Sequence, residues 1–132
     1  MKHKFPIRVY YEDTDLAGIV YYANYLKFIE RARSTLVLEA GIDQVSMRDQ
    51  ELVFAVKKVE ANYIGSAKLN DDLSVETILS GVTGAKIVFT QNVYRDGHAI
   101  FSALVTVVCI TISGKIVRFP ADIRAKLNEL VK

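Results

Sequence analysis

The polar run Glu12-Asp13-Thr14-Asp15 is the part of this chain best suited to chemistry. It separates Ile7 to Tyr11, which alternates like a strand, from a segment with helical spacing that starts near Asn24. The first amides of a helix are unpaired and carry partial positive charge, so they can hold a developing oxyanion. A carboxylate delivered beside them by a turn at Gly18 completes a minimal acyl-transfer site. It can attack an activated carbonyl, or take a proton from the water that does. A thioester suits such a site, because a thiolate departs without a strong acid to assist it. The same residue types also build ordinary turns, where Asp and Thr bond nearby amides. Spacing by itself leaves both uses open, and turn chemistry is the commoner one.

Other catalytic patterns are missing from the sequence. It has no Gly-x-Ser-x-Gly elbow, no P-loop, no Gly-x-Gly-x-x-Gly and no His-Glu-x-x-His. Of the two histidines, His3 falls at a terminus expected to fray, and His98 stands beside a hairpin turn. Cys109, alone of its kind, lies in the apolar run Ala103 to Ile112 and reads as a small buried residue. So few histidines and cysteines do not make the usual zinc sets, and no metal or cofactor is expected. Lys and Arg number 17 against 15 Asp and Glu, a net +2 without clusters, which argues against nucleic acid as a partner. Hydrophobic residues make up 51% of the 132, enough for a single domain, 1–132, to bury its own core. No apolar run is long enough to span a bilayer, and Met1 to Pro6 is not followed by a signal-peptide stretch. The expected location is the cytoplasm.

The elements that must position the acidic run follow from periodicity. Asn24 has the residue type of a helix N-cap. After it, Tyr25, Phe28, Ile29, Ala32 and Leu36 form one apolar helical face, with Lys27, Glu30, Arg31 and Arg33 largely off it. Gly41 fits the position just past the helix end. Asp43 to Glu51 reads as a polar connection with a short helical turn. Strands are expected at Phe54 to Tyr63, Leu73 to Leu79, Lys86 to Tyr94, Ala99 to Ile112 and Ile116 to Arg118. Asn70-Asp71-Asp72, Gly81 to Gly84, Asp96-Gly97 and Ser113-Gly114 mark the turns between them. Pro120 opens a terminal helix whose apolar stripe is Ile123, Leu127 and Leu130. One long helix against an antiparallel sheet is an α+β layout. The strand from Ala99 to Ile112 is apolar on both faces. One face should pack on the helix, and the other, or the sheet edge, should meet another subunit.

The run Tyr10-Tyr11-Glu12-Asp13-Thr14-Asp15-Leu16-Ala17-Gly18-Ile19-Val20-Tyr21-Tyr22-Ala23-Asn24-Tyr25, with Phe28, Glu30, Ala32 and Arg33, closely resembles the hotdog-fold acyl-CoA thioesterases. It is most similar to the 4-hydroxybenzoyl-CoA thioesterase type and to bacterial relatives encoded with the Tol–Pal system. The resemblance extends through the later strand order. It implies a curved antiparallel sheet wrapped around a long central helix. It also implies a homodimer or homotetramer with its sites at the dimer interface, acting on acyl-CoA or on acyl-carrier-protein thioesters. Carried over by position, Asp15 is the catalytic carboxylate and the Tyr22 backbone amide the oxyanion donor. Gly18 permits close chain approach, Ile19 and Val20 lie near the thioester, and Asn24 caps the helix. Asp13 becomes structural, as does Glu30, bonded to Arg33 or to a loop amide.

Two departures stand out. Many relatives have His at the place of Tyr22, and basic residues known near the turn Val82-Thr83-Gly84-Ala85 are missing, with Lys86 close by. Two other readings are a non-catalytic acyl-CoA-binding or scaffold protein of lipid metabolism, and a dehydratase. The second would need a histidine in the helix-start segment.

Overall fold

A computed structural model describes residues 2–131. The elements run β1 (Lys2–Arg8), α1 (Asn24–Glu39), α2 (Gln44–Asp49), β2 (Leu52–Tyr63), β3 (Asp72–Val82), β4 (Lys86–Arg95), β5 (His98–Thr111), β6 (Ile116–Val117) and α3 (Ala121–Val131). A single 3₁₀ turn, Tyr11–Asp13, sits between β1 and α1. The strands form one antiparallel sheet in the order β1-β3-β4-β5-β2, with β6 joined to β5 beyond the end of β4. This is the α+β layout read from the sequence, a curved sheet with α1 against it.

Helix α1 forms because its apolar residues recur on one face. Tyr25, Phe28, Ile29, Ala32, Leu36 and Val37 are all buried. That face packs on β3, β1 and β4. The helix ends where Gly41 adopts φ +85, which lets the Ile42 amide reach the Val37 carbonyl at 3.1 Å and the Gly41 amide reach Leu38 at 3.0 Å. Ile42 is then buried against the core, the hydrophobic contact usual for this kind of helix stop. Strand β4 buries Ile87, Phe89, Gln91 and Val93 in alternation, so its inward side carries one polar residue.

That residue fastens the helix to the sheet. The Gln91 amide donates to the Ile29 carbonyl and to Thr77 Oγ1, both at 2.9 Å, and its oxygen accepts from Arg33 Nη1 at 3.0 Å. Gln91 and Thr77 are fully buried. Apolar packing alone would tolerate some sliding of α1. A set of directional bonds shared by helix, β3 and β4 does not.

Several sequence expectations are corrected. The first strand is Lys2–Arg8 rather than Ile7 to Tyr11, because Val9 and Tyr10 turn away and Tyr11–Asp13 coils. His3 is therefore not frayed. It pairs with Thr77 across the β1–β3 ladder, and its Nε2 lies 3.3 Å from Glu39. Strand β3 runs on through Gly81, which pairs with Val88, so the turn is shorter than Gly81 to Gly84. Strand β5, by contrast, lies inside the sheet as its apolar run implies, and β1 and β2 are the two edges.

Replacing Gln91 by Leu would leave the Thr77 hydroxyl and the Arg33 guanidinium without their partner in the core. We expect Gln91→Leu to lower the urea unfolding free energy by about 3 kcal/mol, with the slope unchanged. A loss below about 0.5 kcal/mol would show that apolar packing alone fixes the helix.

Candidate active site

The acidic run is organised around Asp13. Its carboxylate is buried and accepts the Tyr10 amide at 2.8 Å. Its carbonyl accepts two bonds, from the Tyr21 amide at 2.9 Å and from Asn24 Nδ2 at 2.9 Å. Asp13 is thus structural, as the resemblance implied. Asn24 is not an N-cap. The cap position is Ala23, whose side chain makes no capping bond, and the Asn24 amide instead donates across to the 3₁₀ turn. Placed as the first residue inside the helix, Asn24 points its side chain at the preceding loop rather than at its own first turn.

Beyond Asp13 the chain makes a small hairpin. Thr14 bridges Val20, the Asp15 amide donates to Ile19 at 3.0 Å, and the Gly18 amide returns to the Asp15 carbonyl at 2.9 Å. Leu16, Ala17 and Gly18 form its tip, with Gly18 at φ +83. The Asp15 carboxylate is exposed beside this tip. One oxygen, Oδ1, accepts the Ala17 amide at 2.9 Å, which is the local turn bond expected of Asp in this setting. No protein donor meets Oδ2 among the described residues. Turn chemistry and a free carboxylate oxygen therefore coexist on one residue.

The hairpin is stitched to the loop after β2, where the Val20 amide donates to Ala67 at 2.8 Å and Ile19 bridges Lys68. The Val20 side chain is buried in the core, whereas Ile19 remains at the surface of the site. The chain then enters α1 through Tyr21 and Tyr22. The Tyr22 amide donates to no acceptor among the described residues, as expected for the orphan amides of a helix start. Its carbonyl accepts the Tyr63 hydroxyl at 3.0 Å. Burial raises the Tyr63 phenol above its ordinary value, and the Tyr22 ring adds to the rise, so it stays a neutral donor. Beneath these rings Tyr25 stacks on Phe101, with centroids 5.1 Å apart, and burial raises its phenol as well.

Three features lay outside the sequence reading. Glu30 bonds Ser34 Oγ at 2.9 Å rather than Arg33 or a loop amide. Arg33, placed off the apolar face, is half-buried and tied to Gln91, and burial lowers its pKa against a smaller opposing effect of Glu30. Arg118, from the link between β6 and α3, lays its guanidinium over Gly84, so close that a Cβ there would stand 2.6 Å from it. The turn lacking basic residues of its own thus borrows one. The only sequence signal for the second feature was Gln91, a polar residue on the inward side of a buried strand. Among the described residues no His, Cys, Asp and Glu cluster could hold a metal. No helix among them is long and apolar enough to cross a membrane.

A curved antiparallel sheet around one long helix, with a carboxylate-bearing turn at the helix start, defines the hotdog class. The chain belongs to the Thioesterase-like superfamily, whose family model matches residues 9–127. It is 42% identical over 128 residues to the acyl-CoA thioesterase YbgC of Haemophilus influenzae, covering 96% of this chain and 94% of that protein. It is 36% identical over 108 residues to the acyl-CoA thioester hydrolase YbgC of Escherichia coli, covering 81% of each. Among solved structures, a probable thioesterase from Bartonella henselae superposes with a TM-score of 0.86 at 33% identity, covering 91% of this chain and all (100%) of that one.

Gly18 has open space around the place of a Cβ, so substitution there tests backbone conformation alone. Gly18→Ala should cost about 1–2 kcal/mol in thermal or urea unfolding, from the left-handed conformation. A neutral effect would mean that the tip relaxes to another turn.

Proposed function

We propose that this protein hydrolyses acyl-CoA thioesters to the free acid and CoA. The observation that carries the reading is the Asp15 carboxylate, held by its own turn with one oxygen unbonded, on the hairpin that leads into a helix start whose Tyr22 amide is open. The names of the YbgC relatives supply the thioester class. The thioester oxygen takes the Tyr22 amide, whose partial positive charge at the helix start meets the charge that develops there. Asp15 attacks the carbonyl carbon directly, expelling the thiolate and leaving a mixed anhydride that water then hydrolyses, or it removes a proton from the water that attacks the thioester. The thiolate of CoA leaves unprotonated. The absence of histidine at position 22 costs nothing in this scheme, since the donor is backbone.

Gly18 gives the turn its shape, and Ile19 covers one side of the reacting group. Val20 and Asn24 serve from behind, one as core packing and the other as the tie to Asp13. Lys86 and Arg118 are the cations proposed to meet CoA phosphates, since the Arg118 guanidinium lies over the turn that Lys86 follows. The chain works as a homo-oligomer, with sites where subunits meet. Support for this is the free edge of β2, a liability unless covered, with Val56 and Tyr63 exposed on that strand and the exposed Tyr22 packed edge-on against Tyr63. The same resemblance predicts a gene beside those of the Tol–Pal system.

Asp15→Asn keeps the Ala17 bond and the fold but loses the charge. It should reduce kcat on acyl-CoA substrates by roughly 10²–10⁴-fold in a thiol-trapping assay. Undiminished turnover in that variant would refute the assignment. Arg118→Ala should raise KM for acyl-CoA while leaving the hydrolysis of an acyl-N-acetylcysteamine, which has no phosphates, unchanged. Equal effects on both substrates would remove Arg118 from phosphate binding.

A further inference from the structure

The helix start proposed to hold the oxyanion is only as well aimed as the peptides that carry its amides. A peptide unit is planar, so whatever fixes its carbonyl also fixes the amide on the same plane. The Tyr22 amide shares a plane with the Tyr21 carbonyl, which accepts the Asn24 amide at 2.8 Å. That plane is held within the turn itself. The next plane joins the Tyr22 carbonyl to the Ala23 amide. The Leu26 amide, which could reach back to this carbonyl, bonds Ala23 at 3.2 Å instead. The Ala23 amide, like that of Tyr22, meets no acceptor among the described residues. What holds this second plane is the Tyr63 hydroxyl, which donates to the Tyr22 carbonyl at 3.0 Å.

Tyr63 comes from the end of β2, where it pairs with Phe101. Its ring is wedged among three others, with centroids 5.0 Å from Phe101 and 5.9 Å from both Tyr25 and Tyr22. Tyr25 and Phe101 belong to the core, so the hydroxyl is carried on a fixed stem. Ala23 has helical dihedrals, φ −70 and ψ −20, and its own carbonyl is already taken into the first turn of α1. In that conformation its amide points out of the helix start, where the partial positive charge is offered. Stability does not account for the Tyr63 bond. Tyr63 is 47% and Tyr22 61% exposed, so water could serve the carbonyl almost as well. A water would satisfy that carbonyl without setting its direction, whereas a hydroxyl on a packed ring does both.

We infer that Tyr63 is a positioning residue for the thioester hydrolysis proposed above. Its hydroxyl fixes the Tyr22–Ala23 peptide, so Tyr22 is bounded by two held planes and the open amides of the helix start cannot swing away from the oxyanion. The inference rests on the hydrolytic reading. Tyr63 acts through the backbone, not on the substrate.

Tyr63→Phe removes the hydroxyl and keeps the ring. Two CoA probes of equal chain length separate orientation from general damage. One is a trifluoromethyl ketone analogue of acyl-CoA, whose carbonyl, on addition of water, imitates the tetrahedral oxygen. The other is an S-alkyl-CoA, which has no carbonyl. In Tyr63→Phe, kcat on acyl-CoA should fall roughly 10-fold with KM unchanged. Kd for the ketone should rise by a similar factor, and Kd for the S-alkyl-CoA should stay the same. The melting temperature should stay within about 4 °C of wild type. Undiminished kcat overturns the inference, as does a fall in kcat that binding of the ketone does not share. Equal weakening of both probes also overturns it, because Tyr63 would then be a structural or general binding residue. Wild-type turnover and its loss in Asp15→Asn are measured first. A wild-type chain without turnover refutes the hydrolytic reading, whereas an active wild type with an equally active Tyr63→Phe refutes only the role of Tyr63.

Discussion

The carbonyl of Asp13 accepts the Tyr21 amide and the Asn24 side chain, and the rest of the site depends on that pair of bonds. The loop before α1 and the first residue of α1 are thereby held to one atom. The Asp13 carboxylate extends the knot backwards to the Tyr10 amide. With both ends of the segment fixed, the hairpin carrying Asp15 has little freedom except at its tip. In the proposed reaction a carboxylate must be held in place relative to the oxyanion donor, and these backbone bonds restrain the segment between them. Such a device leaves Asp15 itself largely unencumbered.

A second set of buried bonds does for the helix what Asp13 does for the loop. Gln91 ties Ile29 and Arg33 of α1 to Thr77 of β3. The two devices act at opposite ends of the first helical half, one at Asn24 and the other at Ile29 to Arg33. Between them Tyr25 packs against the rings of Phe28, Tyr63 and Phe101. The helix start is consequently placed by directional contacts at both sides and by stacking beneath.

Much of this was legible in the residues. The α1 face, the stop at Gly41, the Asp96-Gly97 hairpin and the alternation of β3 and β4 are local patterns, and local patterns survive folding. The buried Cys109 and the structural role of Asp13 follow the same habit. What could not be read depends on residues distant in sequence. Asn24 has the type of a cap, whose oxygen would accept from the first turn, yet its amide nitrogen donates to the carbonyl eleven positions back, and only the fold brings that carbonyl near. His3 looks like a loose end until β3 exists to pair with it. The charged Arg33 reads as solvent-facing because nothing in its neighbourhood announces Gln91, fifty-eight positions on. Arg118 over Gly84 is the same kind of surprise, a side chain from near the end of the chain completing a turn in its middle.

Strand β1 pairs across a longer stretch of sequence than the other strands do. Its ladder runs against β3, from Arg8 beside Asp72 to Lys2 beside Ile78, and it has no other neighbour in the sheet. During synthesis the N-terminal strand must therefore wait, unpaired, while the loop, α1, α2 and β2 emerge. The long loop it closes makes its docking a late event in folding. The Val9 amide and carbonyl are held at Asp71 and Asn70, at the foot of that same ladder. The acidic turn that follows is anchored on one side by a segment that settles only after β3 is in place. A nascent chain thus cannot hold the foot of its acidic turn until β3, far downstream in the sequence, has been made.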